Sequence, residues 1–205
     1  MKKGMTVTYE VENGLYVNAT NRCSNACSFC IRNNDDGAYG SDTLWLLREP
    51  TVDEMIKSIT DRDLTKYKEI VFCGYGEPTY RLSDVVHVAK TIKSQYDIPI
   101  RINTNGHSDL INQRDTAREF AGAFDTVSIS LNTPNPDKYV EMCHPVFKKQ
   151  AFSALLEFAE KVKKYVPSVM FSVVRQTLSE EELSECDKIA EKIGVTLRVR
   201  DYISG

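Results

Sequence analysis

The sequence predicts an α/β fold: an open, partial β/α barrel of six parallel strands with the helices outside. Three observations carry that expectation. Short β-rich runs alternate with helical stretches along the 205-residue chain, the pattern of parallel β/α units joined by right-handed crossovers. There are six such runs, too few to close the usual eight-fold barrel. The unusual residues collect just after the carboxyl ends of the runs, where α/β folds place their chemistry.

The strands are expected at 15–20, 69–74, 98–105, 126–132, 169–176 and 196–202, and the helices at 51–66, 83–96, 108–123, 148–166 and 179–193. Thr51 with Glu54, and Ser179 with Glu182, fit the S/T-x-x-E capping box that opens a helix. Val85, Val88, Ala89, Ile92 and Tyr96 recur at helical spacing and give one apolar stripe. Residues 7–11 suit a hairpin with the first strand through Glu12-Asn13-Gly14. The chain reads as one domain, 1–205, with 1–14 as a hairpin extension and 31–50 as a long loop.

A hydrophobic share of 41% supports a real core, and charged residues at 27% are ordinary for a soluble protein. A net charge of -3 without any Lys/Arg run argues against non-specific nucleic-acid binding. The first residues lack a secretory h-region, and no stretch is long enough to span a bilayer. The expected location is the cytoplasm, where six cysteines serve as thiols or metal ligands, not disulfides.

Cys23-x3-Cys27-x2-Cys30 is the strongest motif. A cubane iron–sulfur cluster takes four thiolates; here three lie within eight residues and no fourth follows nearby. One iron is left open to a small molecule bearing an amino and a carboxylate group, and Phe29 supplies an apolar contact beside the cluster. A Cys₃His zinc site using His107 or His144 would need paired half-motifs, and an electron-transfer cluster would have a fourth thiolate. Cys73, Cys143 and Cys186 are scattered singly, so no second cluster is expected. Cys186 reads as a mid-helix apolar residue, Cys73 as packing near the site, and Cys143 as a loop residue, structural or substrate-facing.

This motif, with an aromatic residue before its last cysteine, resembles the radical S-adenosylmethionine (radical SAM) superfamily, and Gly74-Tyr75-Gly76-Glu77-Pro78 resembles a variant of that superfamily's Gly-Gly-Glu motif. NATNRCSNACSFCIR, LWLLREPT, IVFCGYGEPTYRL, RINTNG and VSISLNTP resemble the small TatD-family-associated radical SAM proteins. The resemblance implies one 4Fe–4S cluster on Cys23, Cys27 and Cys30. It also implies S-adenosyl-L-methionine, reductively cleaved to a 5′-deoxyadenosyl radical that takes hydrogen from a substrate. Gly74, Gly76 and Glu77 match the positions that receive the cofactor's amino group. Asn103, Ser130 and Asn132 match contacts to ribose or carboxylate, and Val174 a backbone contact to adenine. Where activating enzymes of the superfamily often carry Asp and Lys, Asn103 and Asn132 stand here, against a bound monovalent cation. The implied electron donor is a flavodoxin or ferredoxin.

Period-two reading turns Tyr16, Asn18 and Thr20, then Arg101, Asn103 and Asn105, then Ser128, Ser130 and Asn132 into the barrel. Such a polar lumen would cost ~1–3 kcal/mol for each unpaired buried group, so it calls for a polar ligand. Asn105 reads either as a turn cap or as a ligand. Arg101, Arg198 and Arg200 also face inward, with no acid read on the same faces and Glu77 as one available partner. An unpaired buried guanidinium needs an anion, so the substrate is expected to be anionic; an offset of one strand by one residue would instead turn its arginines outward. Within 31–50, Leu44-Trp45-Leu46-Leu47 reads as an anchor for a lid, or Trp45 as core alone. The substrate is open: small molecule, nucleotide or protein. The competing functions are a glycyl-radical-enzyme activating enzyme acting on a protein partner, and a non-catalytic metal-binding module.

Overall fold

The computed structural model describes residues 2–34 and 36–201. Strand β1 (Thr8–Val11) pairs antiparallel with β2 (Gly14–Val17) across Glu12-Asn13, so the hairpin extension is present. From β2 onward every pairing is parallel: β3 (Glu69–Phe72), β4 (Ile100–Thr104), β5 (Thr126–Ser130), β6 (Ser168–Val174) and β7 (Thr196–Arg200). The sheet runs β1 to β7 in chain order without closing. It is the open barrel of six parallel strands, plus the hairpin strand. Residue 202, the expected end of the last strand, and Asp35 of the long loop lie outside the described residues.

The helices are α1 (Val52–Thr60), α2 (Leu82–Lys93), α3 (Ser108–Asn112), α4 (Pro136–Cys143), α5 (Gln150–Val162) and α6 (Glu180–Ile193). Both capping boxes form, at Thr51 and Ser179. Two expected helices break partway. The one expected over 51–66 ends at Thr60, because Asp63 accepts from the Thr65 N–H and hydroxyl and starts a separate 3₁₀ turn, Leu64–Lys66. The one expected over 108–123 stops at Gln113 in the left-handed conformation; Asp109 binds the Thr116 N–H and hydroxyl, and a 3₁₀ turn follows at Ala117–Phe120. Helix α4 was not foreseen. Asn135 caps it by accepting from the Asp137 and Lys138 N–H groups, and Pro136 stands at its first position, where a missing N–H costs nothing.

The core lies between the sheet and the helices. Leu15 and Val17, Ile70 and Phe72, Ile100 and Ile102, Val127 and Ile129, and Phe171 and Val173 all face outward. They meet Met55 and Ile59 of α1, Val85, Val88 and Ile92 of α2, Leu155, Phe158 and Val162 of α5, and Leu183, Cys186 and Ala190 of α6. Period-two alternation therefore commits the other face of each strand to the lumen. Among the described residues no helix is long and apolar enough to cross a membrane.

Candidate functional site

The loop after β2 carries Cys23, Cys27 and Cys30, each half-buried. Cys30 donates its N–H to the Cys27 carbonyl (3.2 Å), and its own carbonyl accepts from Asn33 N (2.9 Å), opening a short 3₁₀ turn, Ile31–Asn33. Phe29 packs half-buried against the core. Burial pushes the Cys23 thiol up to about 12, with the Glu77 charge a lesser cause. Burial also raises Cys30, and Cys27 is raised chiefly by hydrogen bonding with Cys143, then by burial.

The loop is held by a buried polar scaffold. Glu77 is 3% exposed. Its Oε1 accepts from Thr79 N (3.0 Å), Thr79 Oγ1 (2.7 Å) and Thr104 Oγ1 (2.9 Å), and its Oε2 accepts from Asn105 N (2.7 Å). Burial raises its pKa against the pull of these donors. Glu77 is thus saturated by neutral donors, which corrects the expectation that it serves an arginine. Its backbone N–H donates to the Arg22 carbonyl at 2.7 Å. Asn105 caps its own turn by accepting from His107 N (3.0 Å) and donates to Ser24 Oγ (2.7 Å), so the turn-cap reading holds.

Beneath Ser24 and Asn25 lies a network that the sequence reading missed. His107 faces Ser24 Oγ through Nδ1 (3.2 Å), and the Ala151 carbonyl (3.1 Å) and Tyr139 hydroxyl (3.3 Å) through Nε2. Asn25 Nδ2 donates to the Tyr139 hydroxyl at 3.2 Å. Burial depresses His107 from 6.5 to about 4, so the imidazole is neutral, with the Nε2 proton directed at the Ala151 carbonyl. His107 is therefore spent on the scaffold, and His144 is exposed at the end of α4; neither completes a zinc set. Among the described residues no three His, Cys, Asp or Glu side chains converge on one metal point. A cubane needs no such convergence, since each thiolate takes a different iron.

The glycine motif follows β3. A β-carbon at Gly74 would collide with the Asn18 side chain, and one at Gly76 with the Thr20 and Arg22 carbonyls. The close approach that demands glycine is thus to the chain's own cysteine-bearing segment; the sequence reading assigned it to the cofactor alone. Both glycines are half-exposed, so their backbone still borders the site. Among the described residues three buried carboxamide oxygens have no donor: Asn18 Oδ1, which lies against Gly74, Asn25 Oδ1 in the cysteine loop, and Asn132 Oδ1 after β5. Unpaired buried acceptors of this kind cost ~1–3 kcal/mol each, and a ligand bearing N–H groups relieves them. Asn132 holds a left-handed φ of 63°. Ser130 is half-buried at the end of β5, and Val174 is buried where β6 ends, its carbonyl accepting from Thr177 Oγ1 (2.8 Å).

The arginines separate. Arg101 is in the lumen but forms a two-pronged pair with Glu69 (2.6 and 3.0 Å) and also donates to Asn103 Oδ1 (3.0 Å). The reading of a lumen without acids is corrected there: Glu69, at the start of β3, turns inward and neutralises Arg101. The register Ser172↔Arg198 and Val174↔Arg200 puts both remaining arginines on the lumen side, with no offset. Arg198 is exposed because β7 is an open edge, whereas Arg200 is half-buried and within electrostatic range of Cys30 and Cys73.

The 31–50 segment is fastened at both ends of its apolar patch. Leu44 and Leu46 are buried, and their carbonyls accept from Asn18 Nδ2 (2.8 Å) and Asn21 Nδ2 (2.9 Å). Trp45 packs edge-on against Tyr75 at 5.2 Å between ring centroids, and the Tyr75 hydroxyl donates to the Gly37 carbonyl (2.7 Å). Trp45 packs half-buried against a second hydrophobic cluster of Tyr9, Val11, Ala38, Leu44 and Tyr75, as the core reading expected, and this cluster joins the loop to the glycine motif.

The fold and these groups define an open β/α barrel with a cysteine loop and an adjoining polar pocket at the carboxyl edge of its strands. The profile of the radical SAM superfamily matches residues 17–189, and the chain belongs to that superfamily. A radical SAM methyltransferase from Sphaerobacter thermophilus superposes with a TM-score of 0.67 at 18% identity, over 95% of this chain and 57% of that one. Streptococcus suis SuiB bound to the precursor peptide SuiA gives 0.66 at 16%, over 93% and 39%. The structure titled native anSMEcpe with bound AdoMet gives 0.61 at 16%, over 92% and 50%. This chain spans between 39% and 57% of the length of these three proteins. No curated protein matches it.

Two outcomes test the scaffold. Glu77→Gln places an amide N–H₂ against either the Asn105 or the Thr79 N–H, so denaturant unfolding should show a loss of ~1–3 kcal/mol. A stability equal to wild type would contradict the saturated carboxylate. For His107 the folded pKa lies below the unfolded one. The unfolded chain therefore takes up a proton first as pH falls, and stability drains from about pH 6.5 down to about 4, by on the order of 3 kcal/mol in all. Over that window the urea midpoint of wild type should fall more steeply than that of His107→Gln.

Proposed function

We propose that this chain is a radical SAM enzyme that holds one 4Fe–4S cluster on Cys23, Cys27 and Cys30, binds S-adenosyl-L-methionine beside it, and acts on an anionic substrate. The observation that carries the reading is a half-buried three-cysteine loop together with three buried amide oxygens that have no donor among the described residues: Asn25 Oδ1 in that loop, Asn18 Oδ1 against Gly74, and Asn132 Oδ1 after β5. When bound, the two groups supply one-electron cleavage of a carbon–sulfur bond and a 5′-deoxyadenosyl radical able to take a hydrogen atom; the protein supplies orientation and exclusion.

The residues divide that work. Cys23, Cys27 and Cys30 would take three irons and leave the fourth open. The Gly74 and Gly76 backbone, with Asn18 Oδ1 against Gly74, offers acceptors to an ammonium group. Asn132 and Ser130 offer polar contacts to carboxylate or ribose, and Val174 borders the adenine side. Glu77 acts at one remove: it fixes the turn whose Asn105 holds Ser24 in the cysteine loop. Asn103, engaged by Arg101, lines the lumen floor. The quoted segments support placing the chain with the small TatD-associated members. An external one-electron donor of the flavodoxin or ferredoxin kind completes the reaction.

Arg200, with Arg198 beside it toward the open edge, is the cationic feature that favours an anionic substrate. Neither side chain has a hydrogen bond or ion pair among the described residues, and a guanidinium binds carboxylate or phosphate in two-pronged fashion.

Anaerobic reconstitution with iron and sulfide should give a brown protein with about four irons per chain, which releases 5′-deoxyadenosine on reduction with S-adenosylmethionine. Alanine at Cys23, Cys27 or Cys30 should abolish both. Stoichiometric zinc in an anaerobically purified, colourless protein would refute the proposal. For the substrate, titration with citrate or pyrophosphate should show binding that Arg200→Ala weakens about tenfold or more. Equal binding by wild type and variant removes the anionic assignment and leaves the cofactor assignment standing.

A further inference from the structure

The sheet has two edges, and they differ. At β1 the edge is covered: Thr8, Tyr9 and Val11 are buried, and the Thr8 hydroxyl shares a hydrogen bond with the Ser58 hydroxyl of α1 (2.8 Å). At β7 it is bare. Thr196, Arg198 and Val199 are exposed, and no residue of the strand is buried. Successive residues of a strand direct their backbone N–H and C=O groups to opposite sides. Half of those of β7 therefore serve β6, and the other half meet no strand among the described residues. Such a row of donors and acceptors is a template for one more strand.

The two faces of this edge say what that strand would carry. On the lumen face stand Arg198 and Arg200, two residues apart and without an ion pair among the described residues. Asp201, the next acid along the chain, is engaged elsewhere, accepting from Gln176 Nε2 (3.2 Å). On the helix face Leu197 packs against the core, whereas Val199 is left 44% exposed. An added strand sets its side chains about 5 Å from those of β7 on the same face. Its lumen-side residues would lie beside the arginines and the residues between them beside Leu197 and Val199. The complement is a segment of alternating acidic and apolar residues. A second copy of this chain does not supply it: pairing β7 with β7 sets arginine against arginine, and like charges across a strand pair are destabilising.

We propose that the open edge of β7 docks an extended acidic segment of a partner protein as an added strand, with alternate carboxylates of that segment paired to Arg198 and Arg200. The proposal deepens the anionic-substrate reading of the preceding section, on which it rests, by placing the anionic groups on a polypeptide. It does not depend on the cluster.

The test is fluorescence anisotropy of the whole chain, purified anaerobically, with a labelled, end-capped peptide of about ten residues that alternates glutamate and valine. Wild type should bind it, and added salt should weaken the binding. Two further peptides carry N-methyl groups, one on its valines and one on its glutamates. Only one edge of the peptide faces β7, so one of the two should bind about tenfold or more weakly through its lost N–H donors. A peptide of the same composition with its glutamates in one block should also bind weakly. Glutamate at both Arg198 and Arg200 should abolish binding of the acidic peptide and admit a lysine–valine counterpart; Arg198→Glu alone, at an exposed position, should weaken it should the double variant fail to fold. No binding by wild type overturns the proposal, as it does if Arg198→Ala self-associates while wild type ignores the peptide, which would make the arginines guards of the edge. Equal binding of the alternating, blocked and both N-methylated peptides shows attraction by charge alone and overturns it too, while Arg200-dependent binding of pyrophosphate leaves the anionic-substrate reading standing. Loss of that pyrophosphate dependence would instead bring down the reading beneath it.

Discussion

A carboxylate buried without a cation organises the carboxyl edge of this barrel. Glu77 meets only neutral donors, two of them backbone N–H groups and two threonine hydroxyls. Hydrogen bonds to an ionised group contribute about 1.5–3 kcal/mol each, which offsets the desolvation that raises its pKa. Oε1 closes the turn after β3 through Thr79 and also holds Thr104 at the end of β4, while Oε2 takes the Asn105 N–H just beyond it. With both ends pinned, Asn105 is placed to reach Ser24, and Glu77 N–H to reach Arg22. The cysteine loop inherits its shape from this clamp.

The opposite side of the loop is held by different physics. The end of a helix has carbonyls to spare, and a loop of irregular backbone has N–H groups to spare; α4 and residues 24–28 satisfy each other. Below them His107 and Tyr139 fill the interior with a neutral, fully engaged network. A charged imidazole there would need a counter-ion that the surrounding groups do not supply. The three cysteines therefore sit on a loop with little freedom, as a site that must hold a ligand in one orientation requires.

The lumen shows where charge is tolerated. Arg101 near its floor is neutralised by Glu69, with Tyr16 and Asn103 taking up remaining N–H groups. Arg200 stands higher, beside the open edge, where partial hydration lowers the cost of an unpaired guanidinium. The difference between the acid-paired arginine and the one without an ion pair here is depth: the deeper one had to find its acid within the protein.

Much of this was legible in the residues. The alternation of β and helical runs, the S/T-x-x-E caps and the spacing of Cys23, Cys27 and Cys30 are local patterns, and local patterns survive in sequence. They determined the open barrel and the faces of the strands. What only the tertiary structure decided depends on groups far apart in the chain. Glu69 meets Arg101 across two strands, and Gly76 needs its missing β-carbon because Thr20 and Arg22 run against it. Cys143 meets the cysteine loop at Ala26 only because a short helix, announced by nothing more than Asn135-Pro136, ends there. Such partners are chosen by strand register and by the demand of each buried polar group for a donor or acceptor, and neither is written in the spacing of neighbours.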